Sequence, residues 1–164
     1  MKRKIVIIGM PGSGKTTIGK ILSKELNLKF YDMDEYIQET RSKTIMELFE
    51  NGEDYFRDIE TEACRELADK SNVLISTGGG VVKRKENIDI LKEDSIIIFL
   101  DRPVEKILED VDVSKRPLLK DGKEKVLHLY KERYELYRAA ADKIVVNDST
   151  MNDVIKKFKE IIEV

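Results

Sequence analysis

The sequence predicts an α/β fold of three layers (α/β/α), a five-stranded, mostly parallel sheet with helices on both faces. Three observations predict it. Short apolar, β-branched runs alternate with longer stretches of helical spacing along all 164 residues. The first run, Ile5-Val6-Ile7-Ile8, is apolar at every position, as a parallel strand buried on both faces has to be. That run stops at Gly9, and a glycine-rich turn leads straight into an amphipathic helix carrying Ile18, Ile21, Leu22 and Leu26.

The remaining elements follow in order. The first helix runs to about Asn27, and Leu28 to Met33 read as the second strand. Asp34 to about Arg41 have helical spacing, as do Thr44 to about Lys70 through Ile45, Leu48, Phe49, Ile59, Ala63 and Leu67, with a break near Asn51-Gly52. Val73 to Ile75 form a third strand, halted by Gly78-Gly79-Gly80. A helix through Ile88 and Leu91 leads to a fourth strand, Ser95 to Leu100, and a further helix spans Val104 to Val111. Residues 112–122 show no period; Lys123 to Ala141 are helical, Ile144 to Val146 make the fifth strand, and Asn152 to Ile162 close the chain as a helix. No repeat, low-complexity tract or linker divides the sequence, so residues 1–164 are expected to form a single domain.

Composition narrows the function. Apolar residues make up 41% and charged residues 38%, with 30 basic against 32 acidic side chains and a net charge of −2. No basic field is present for nucleic acid. No apolar run approaches the roughly 18 residues a membrane-spanning helix needs, and residues 1–20 carry no signal-peptide pattern. A cytoplasmic monomer without membrane partners is expected. The single cysteine, Cys64, rules out an internal disulfide and fits core packing, and the lone His128 cannot build a metal cluster.

Gly9 to Thr16 fit G-x-x-x-x-G-K-[ST], a loop that binds phosphate between a strand and a helix. Its glycines allow a tight turn and close approach of a ligand, so that successive N–H groups of Gly12, Ser13, Gly14, Lys15, Thr16 and Thr17 can cradle an anion at a helix start. Lys15 can reach the β- and γ-phosphates, and Thr16 can offer its hydroxyl to Mg²⁺. The other reading, a plain strand-to-helix turn, does not require the lysine and threonine.

Asp32 and Asp34 follow the second strand, at the carboxyl ends where ligands of such sheets gather. If extended backbone persists, the two point the same way. Asp32 is then placed beside the water shell of Mg²⁺, and Asp34 beside a substrate hydroxyl, as hydrogen-bond acceptor and proton acceptor. A helix N-cap with an acid in the first turn is the competing reading. Arg57 sits in a helical stretch with Glu60 three residues on, so a local ion pair competes with a binding role, and Arg133 has a solvated helix face as its competitor. Gly78, Gly79 and Gly80 imply close approach of something to the main chain.

Taken together, Gly9-Met-Pro-Gly-Ser-Gly-Lys-Thr-Thr17, Asp32-Met-Asp34, Phe56-Arg-Asp-Ile-Glu60, Gly78-Gly-Gly80, Arg116-Pro-Leu-Leu119 and Arg133-x-x-Leu-Tyr137 resemble the shikimate kinases over essentially the full length. The resemblance implies a P-loop kinase fold with a substrate-binding helical region at about 34–60 and a mobile lid at about 112–122. It also implies transfer of the γ-phosphate of ATP, with Mg²⁺, to the 3-hydroxyl of shikimate. By that likeness Lys15 and Thr16 serve phosphate and metal, Asp32 supports the metal, and Asp34 holds substrate hydroxyls. Arg57 and Arg133 bind the carboxylate, with the Gly79 backbone contributing. Arg116 belongs to the lid, closing over ATP as a nucleotide-binding and catalytic group.

Two departures stand out. An arginine that stacks on adenine commonly precedes the lid arginine in that family, where this chain has Glu109-Asp110-Val111-Asp112. The turn after the second-strand helix usually holds a glycine and here reads Thr40-Arg41-Ser42-Lys43. The competing functions are another small-molecule kinase of this type, for gluconate or a nucleoside monophosphate, and a nucleotide-dependent switch. The latter is disfavoured because the N-K-x-D and D-x-x-G signatures of GTPase switches are absent from the sequence.

Overall fold

A computed structural model describes residues 3–110 and 119–163. The elements are β1 (Lys4–Ile8), α1 (Lys15–Glu25), β2 (Lys29–Asp32), α2 (Met33–Arg41), α3 (Ile45–Phe49), α4 (Glu53–Ala68), β3 (Val73–Ser76), a single 3₁₀ turn (Val81–Lys83), α5 (Lys85–Lys92), β4 (Ile96–Asp101), α6 (Val104–Glu109), α7 (Leu119–Ala140), β5 (Lys143–Val146) and α8 (Met151–Ile162). The five strands form one sheet in the order β2-β3-β1-β4-β5, every neighbouring pair parallel.

Alternation along the central strands builds two cores. Val6 and Ile8 of β1 face one way, joining Ile75, Ile97 and Phe99 against Ile37, Ala63, Leu67, Leu91 and Tyr137 of the helices. Ile5 and Ile7 face the other, joining Leu74, Ile98 and Leu100 against Ile18, Leu22, Val154 and Phe158. Each such side chain contributes about 1.5–3 kcal/mol by leaving water. Even Lys4 is buried in β1, where its ammonium donates to the carbonyls of Ala68, the last residue of α4, and Glu93, just past the end of α5. Cys64 is fully buried in the first core and burial pushes its thiol up, which agrees with a packing role.

The strand order reverses at β1: β3 and β2 lie to one side and β4 and β5 to the other. A crevice opens at the carboxyl ends beside β1, where Gly9 stands. Two boundaries near the crevice differ from the expectation. The second strand ends at Asp32 rather than Met33, because the Asp32 carboxylate accepts from Glu35 N–H at 3.1 Å and starts α2 there. The expected orientation of Asp32 and Asp34 by strand alternation therefore does not hold; Asp34 lies in the first turn of α2. The long helix begins at Leu119 rather than Lys123, so residues 119–122 of the stretch read as lid are helical. Gly122 costs that helix roughly 1 kcal/mol, tolerable where a 22-residue element packs along β4 and the 3₁₀ turn. The turn without glycine is closed by Ser42, which takes left-handed backbone at φ 53°.

Candidate active site

The phosphate loop occupies the link between β1 and α1. Gly12 and Gly14 have φ of +83° and +98°, a region closed to most side chains. Most of the loop's carbonyls are engaged. Met10 O accepts from Ser13 N–H at 3.1 Å. Gly9 O and Met10 O accept from Lys15 Nζ at 2.7 and 2.9 Å. Gly12 O accepts from Arg102 Nη1 at 2.8 Å, and Ser13 O from Asn147 Nδ2 at 2.9 Å. With those oxygens held, N–H groups of the loop and of the first turn of α1 remain for an anion. Lys15 is itself buried, and burial lowers its pKa to about 8, against the opposing pull of Asp34 and Asp32. A polyphosphate entering the loop would replace two carbonyl oxygens with formal negative charge.

Thr16 leaves α1 toward β2, and its hydroxyl donates to Asp32 Oδ2 at 2.7 Å. Asp32 thus serves two partners, with Oδ1 capping α2 and Oδ2 facing Thr16. Asp34 sits against Gly78, where an added Cβ would come within 3.0 Å of its carboxylate. Burial raises the Asp34 pKa above its ordinary 3.8, and the neighbouring charge of Asp32 raises it further.

Beyond Asp34 lies a cavity of about 440 Å³ bounded by Asp34, Arg57, Gly78, Gly79, Gly80 and Arg133, among others. Arg57 is buried; it donates to Glu60 at 2.9 Å and Glu53 at 3.4 Å and lies over the rings of Phe56 and Phe49. The ion pair with Glu60 is therefore real, and the same guanidinium still borders the cavity. Glu60, 1% exposed, has its pKa raised by burial while Arg57 pulls it down. The solvated-face reading of Arg133 fails: it is 7% exposed, and its Nε is buried with no acceptor among the described residues. The three glycines are each tight against a functional neighbour. A side chain at Gly79 would strike the Pro11 ring at 2.7 Å, and one at Gly80 would strike the Arg57 guanidinium.

On the other side of the phosphate loop a second cavity, about 290 Å³, is lined by Gly14, Thr17, Ile18, Arg102, Lys106 and Asn147, with Ser149 and Met151. A further cavity of about 520 Å³ lies at the opposite end of the sheet, around Arg3, Lys4, Arg65 and Asp94, remote from the loop. Arg116 and the segment 112–118 lie outside the described residues.

The structure brings Lys15, Thr16, Asp32, Asp34, Arg57, Gly78, Gly79, Gly80 and Arg133 to one rim. Two residues around the phosphate loop escaped the sequence reading, and Tyr137 entered it only within a family motif, with no role. Arg102 and Asn147 each stand one position past a strand, at the ligand-bearing end of the sheet, which is the signal that could have found them. Tyr137, one helical turn beyond Arg133, donates its hydroxyl to Gly79 O at 2.6 Å.

Comparison with known proteins agrees with this geometry. The family model described as shikimate kinase matches residues 11–163. A shikimate kinase of Clostridium beijerinckii is 63% identical over 162 residues, covering 99% of this chain and 96% of the relative. The structure of shikimate kinase from Acinetobacter baumannii in complex with shikimate superposes with a TM-score of 0.88 at 34% identity, covering 98% of this chain and 93% of that one. The crystal structure of shikimate kinase from Aquifex aeolicus gives 0.84 at 38% identity, covering 98% and 96%. With similarity running from end to end in both sequence and backbone, the chain belongs to the shikimate kinase family.

Proposed function

We propose that the protein transfers the γ-phosphate of ATP to the 3-hydroxyl of shikimate, giving shikimate 3-phosphate for aromatic amino acid synthesis in the cytoplasm. The observation that carries this reading is the cavity beside the phosphate loop, which offers two buried guanidiniums, Arg57 and Arg133, and one half-buried carboxylate, Asp34, at the loop's edge. A compact hydroxylated carboxylic acid matches that set: arginine forks suit its carboxylate, and the aspartate suits its reacting hydroxyl. The relatives, one of them holding shikimate, support the choice.

Residue roles follow from position. The loop from Gly12 to Thr17 holds the phosphates, Lys15 lends charge to the transferred phosphoryl group, and Asp34 accepts the hydroxyl proton as the new bond forms. Arg57 and Arg133 orient the substrate, with the Gly78–Gly80 backbone against it. The nucleoside belongs on the far side of the loop, in the cavity with Arg102 and Asn147. Arg116 and the lid at about 112–122 are assigned by family likeness, to shield the phosphates from water.

Magnesium suits the donor set. The Thr16 hydroxyl and Asp32 carboxylate are hard oxygen ligands 2.7 Å apart at the mouth of the loop. An ion held there would be completed by phosphate oxygens and water. Bound there, Mg²⁺ would offset charge on the β- and γ-phosphates. We further propose a monomer without nucleic-acid or membrane partners, supported by the balanced charge.

The test is ADP release from MgATP with shikimate, gluconate or a nucleoside monophosphate offered in parallel. Release stimulated by shikimate alone is expected; stimulation by either of the others instead would overturn the reading.

A further inference from the structure

The main chain of Gly78-Gly79-Gly80 is pinned at each of its three carbonyls, but not by the same kind of partner. Gly78 O accepts from Val81 N–H at 3.2 Å and Gly80 O from Lys83 N–H at 3.1 Å, so local turns satisfy both. Gly79 O, between them, accepts from a side chain, the Tyr137 hydroxyl at 2.6 Å. Tyr137 is fully buried, stacked on Phe99 with ring centroids 5.1 Å apart. The hydroxyl is the ring's one polar group; it donates to Gly79 O and has the Arg133 guanidinium beside it.

In a trans peptide the carbonyl of one residue and the N–H of the next point in opposite directions. Holding Gly79 O toward α7 therefore turns the Gly80 N–H away from Tyr137, and the cavity is lined by the glycines and not by Tyr137. The N–H groups of Gly79 and Gly80 find no acceptor among the described residues. With no side chain on either residue, the Tyr137 hydroxyl supplies the hydrogen bond that fixes this peptide among the described residues.

We propose that Tyr137 is a positioning residue for substrate binding: its hydroxyl locks the Gly79–Gly80 peptide so that the Gly80 N–H serves as a main-chain donor to the acidic, hydroxylated substrate. The inference rests on the shikimate reading above. Tyr137 touches no reacting atom; it acts by preventing the peptide from flipping, which would aim a carbonyl at the substrate's negative charge.

The test compares Tyr137→Phe with wild type. Shikimate-dependent turnover by wild type checks the reading itself; the variant checks the inference. We expect shikimate Kd and KM to rise about tenfold, kcat at saturating shikimate to fall less than threefold, and ATP affinity without shikimate to stay unchanged. Phe158→Leu, in the opposite core, is the control for lost stability and should lower Tm while leaving shikimate KM unaltered. Should Tyr137→Phe not fold, 4-aminophenylalanine at position 137 keeps a donor to Gly79 O and should keep shikimate KM within about threefold of wild type. A shikimate KM within twofold of wild type in the folded phenylalanine variant, or a tenfold rise in the amino variant, overturns the proposal.

Discussion

The Thr16 hydroxyl and the Asp32 carboxylate meet at 2.7 Å, while the other oxygen of Asp32 caps α2 at Glu35 N–H. One side chain therefore carries a structural duty and faces the position proposed for the metal. Asp34, two residues on, borders the cavity proposed for the substrate instead. Asp32→Asn should raise the Mg²⁺ concentration needed for half-maximal activity. Asp34→Asn should depress kcat strongly with MgATP binding largely retained. Magnesium titrations of both variants check this, and identical profiles would dissolve the division of labour.

Lys15 yields a prediction in pH. Its folded pKa is lowered from 10.5 to about 8 by burial, and bound phosphate restores the favourable environment for the ammonium. Below pH 8 the free protein already carries the charge, so nucleotide binding takes up no proton. Above pH 8 binding must recruit one, and MgATP affinity should fall by up to about tenfold per unit. Calorimetry in buffers of different ionisation enthalpy measures that uptake. Lys15→Ala should fold yet lose phosphoryl transfer; near-normal turnover would remove the electrostatic role assigned to it.

Arg133→Ala should weaken shikimate binding by about 1.5–3 kcal/mol, roughly ten- to a hundredfold. Arg133→Lys should recover only part, since a point charge does not reproduce a planar fork. ATP affinity measured without shikimate should barely change. Calorimetry showing equal losses for both ligands would move Arg133 to another subsite.

Arg116→Ala should cost kcat far more than shikimate affinity, because the proposed contact is completed only when the lid covers bound nucleotide. Backbone amides from Val113 to Gly122 should exchange more slowly with both ligands bound than with neither. Equal effects on kcat and shikimate Kd, with unchanged exchange, would leave that segment a plain connection.

The local patterns in the sequence determined the α/β class, the five strands and the phosphate loop. Apolar periods of two and of 3.6 register burial on opposite faces, and the loop's glycines, lysine and threonine sit within a few residues of one another. Asp34 and the three glycines stood out by their place after strands, but they became one set with Arg57 and Arg133 only through likeness to a family. Tertiary structure alone decided how they meet. Whether Arg57 served Glu60 or a ligand was undecidable from the helix; the fold shows its guanidinium paired with Glu60 and still bordering the cavity. Arg133 had the pattern of a solvated position until α7 was laid against β4 and the glycine turn, burying it. Arg102 and Asn147 reach the phosphate loop across 90 and 134 residues of sequence. Contacts of that span depend on which strands become neighbours, and strand order is fixed by the packing of both sheet faces together, not by any one segment's periodicity.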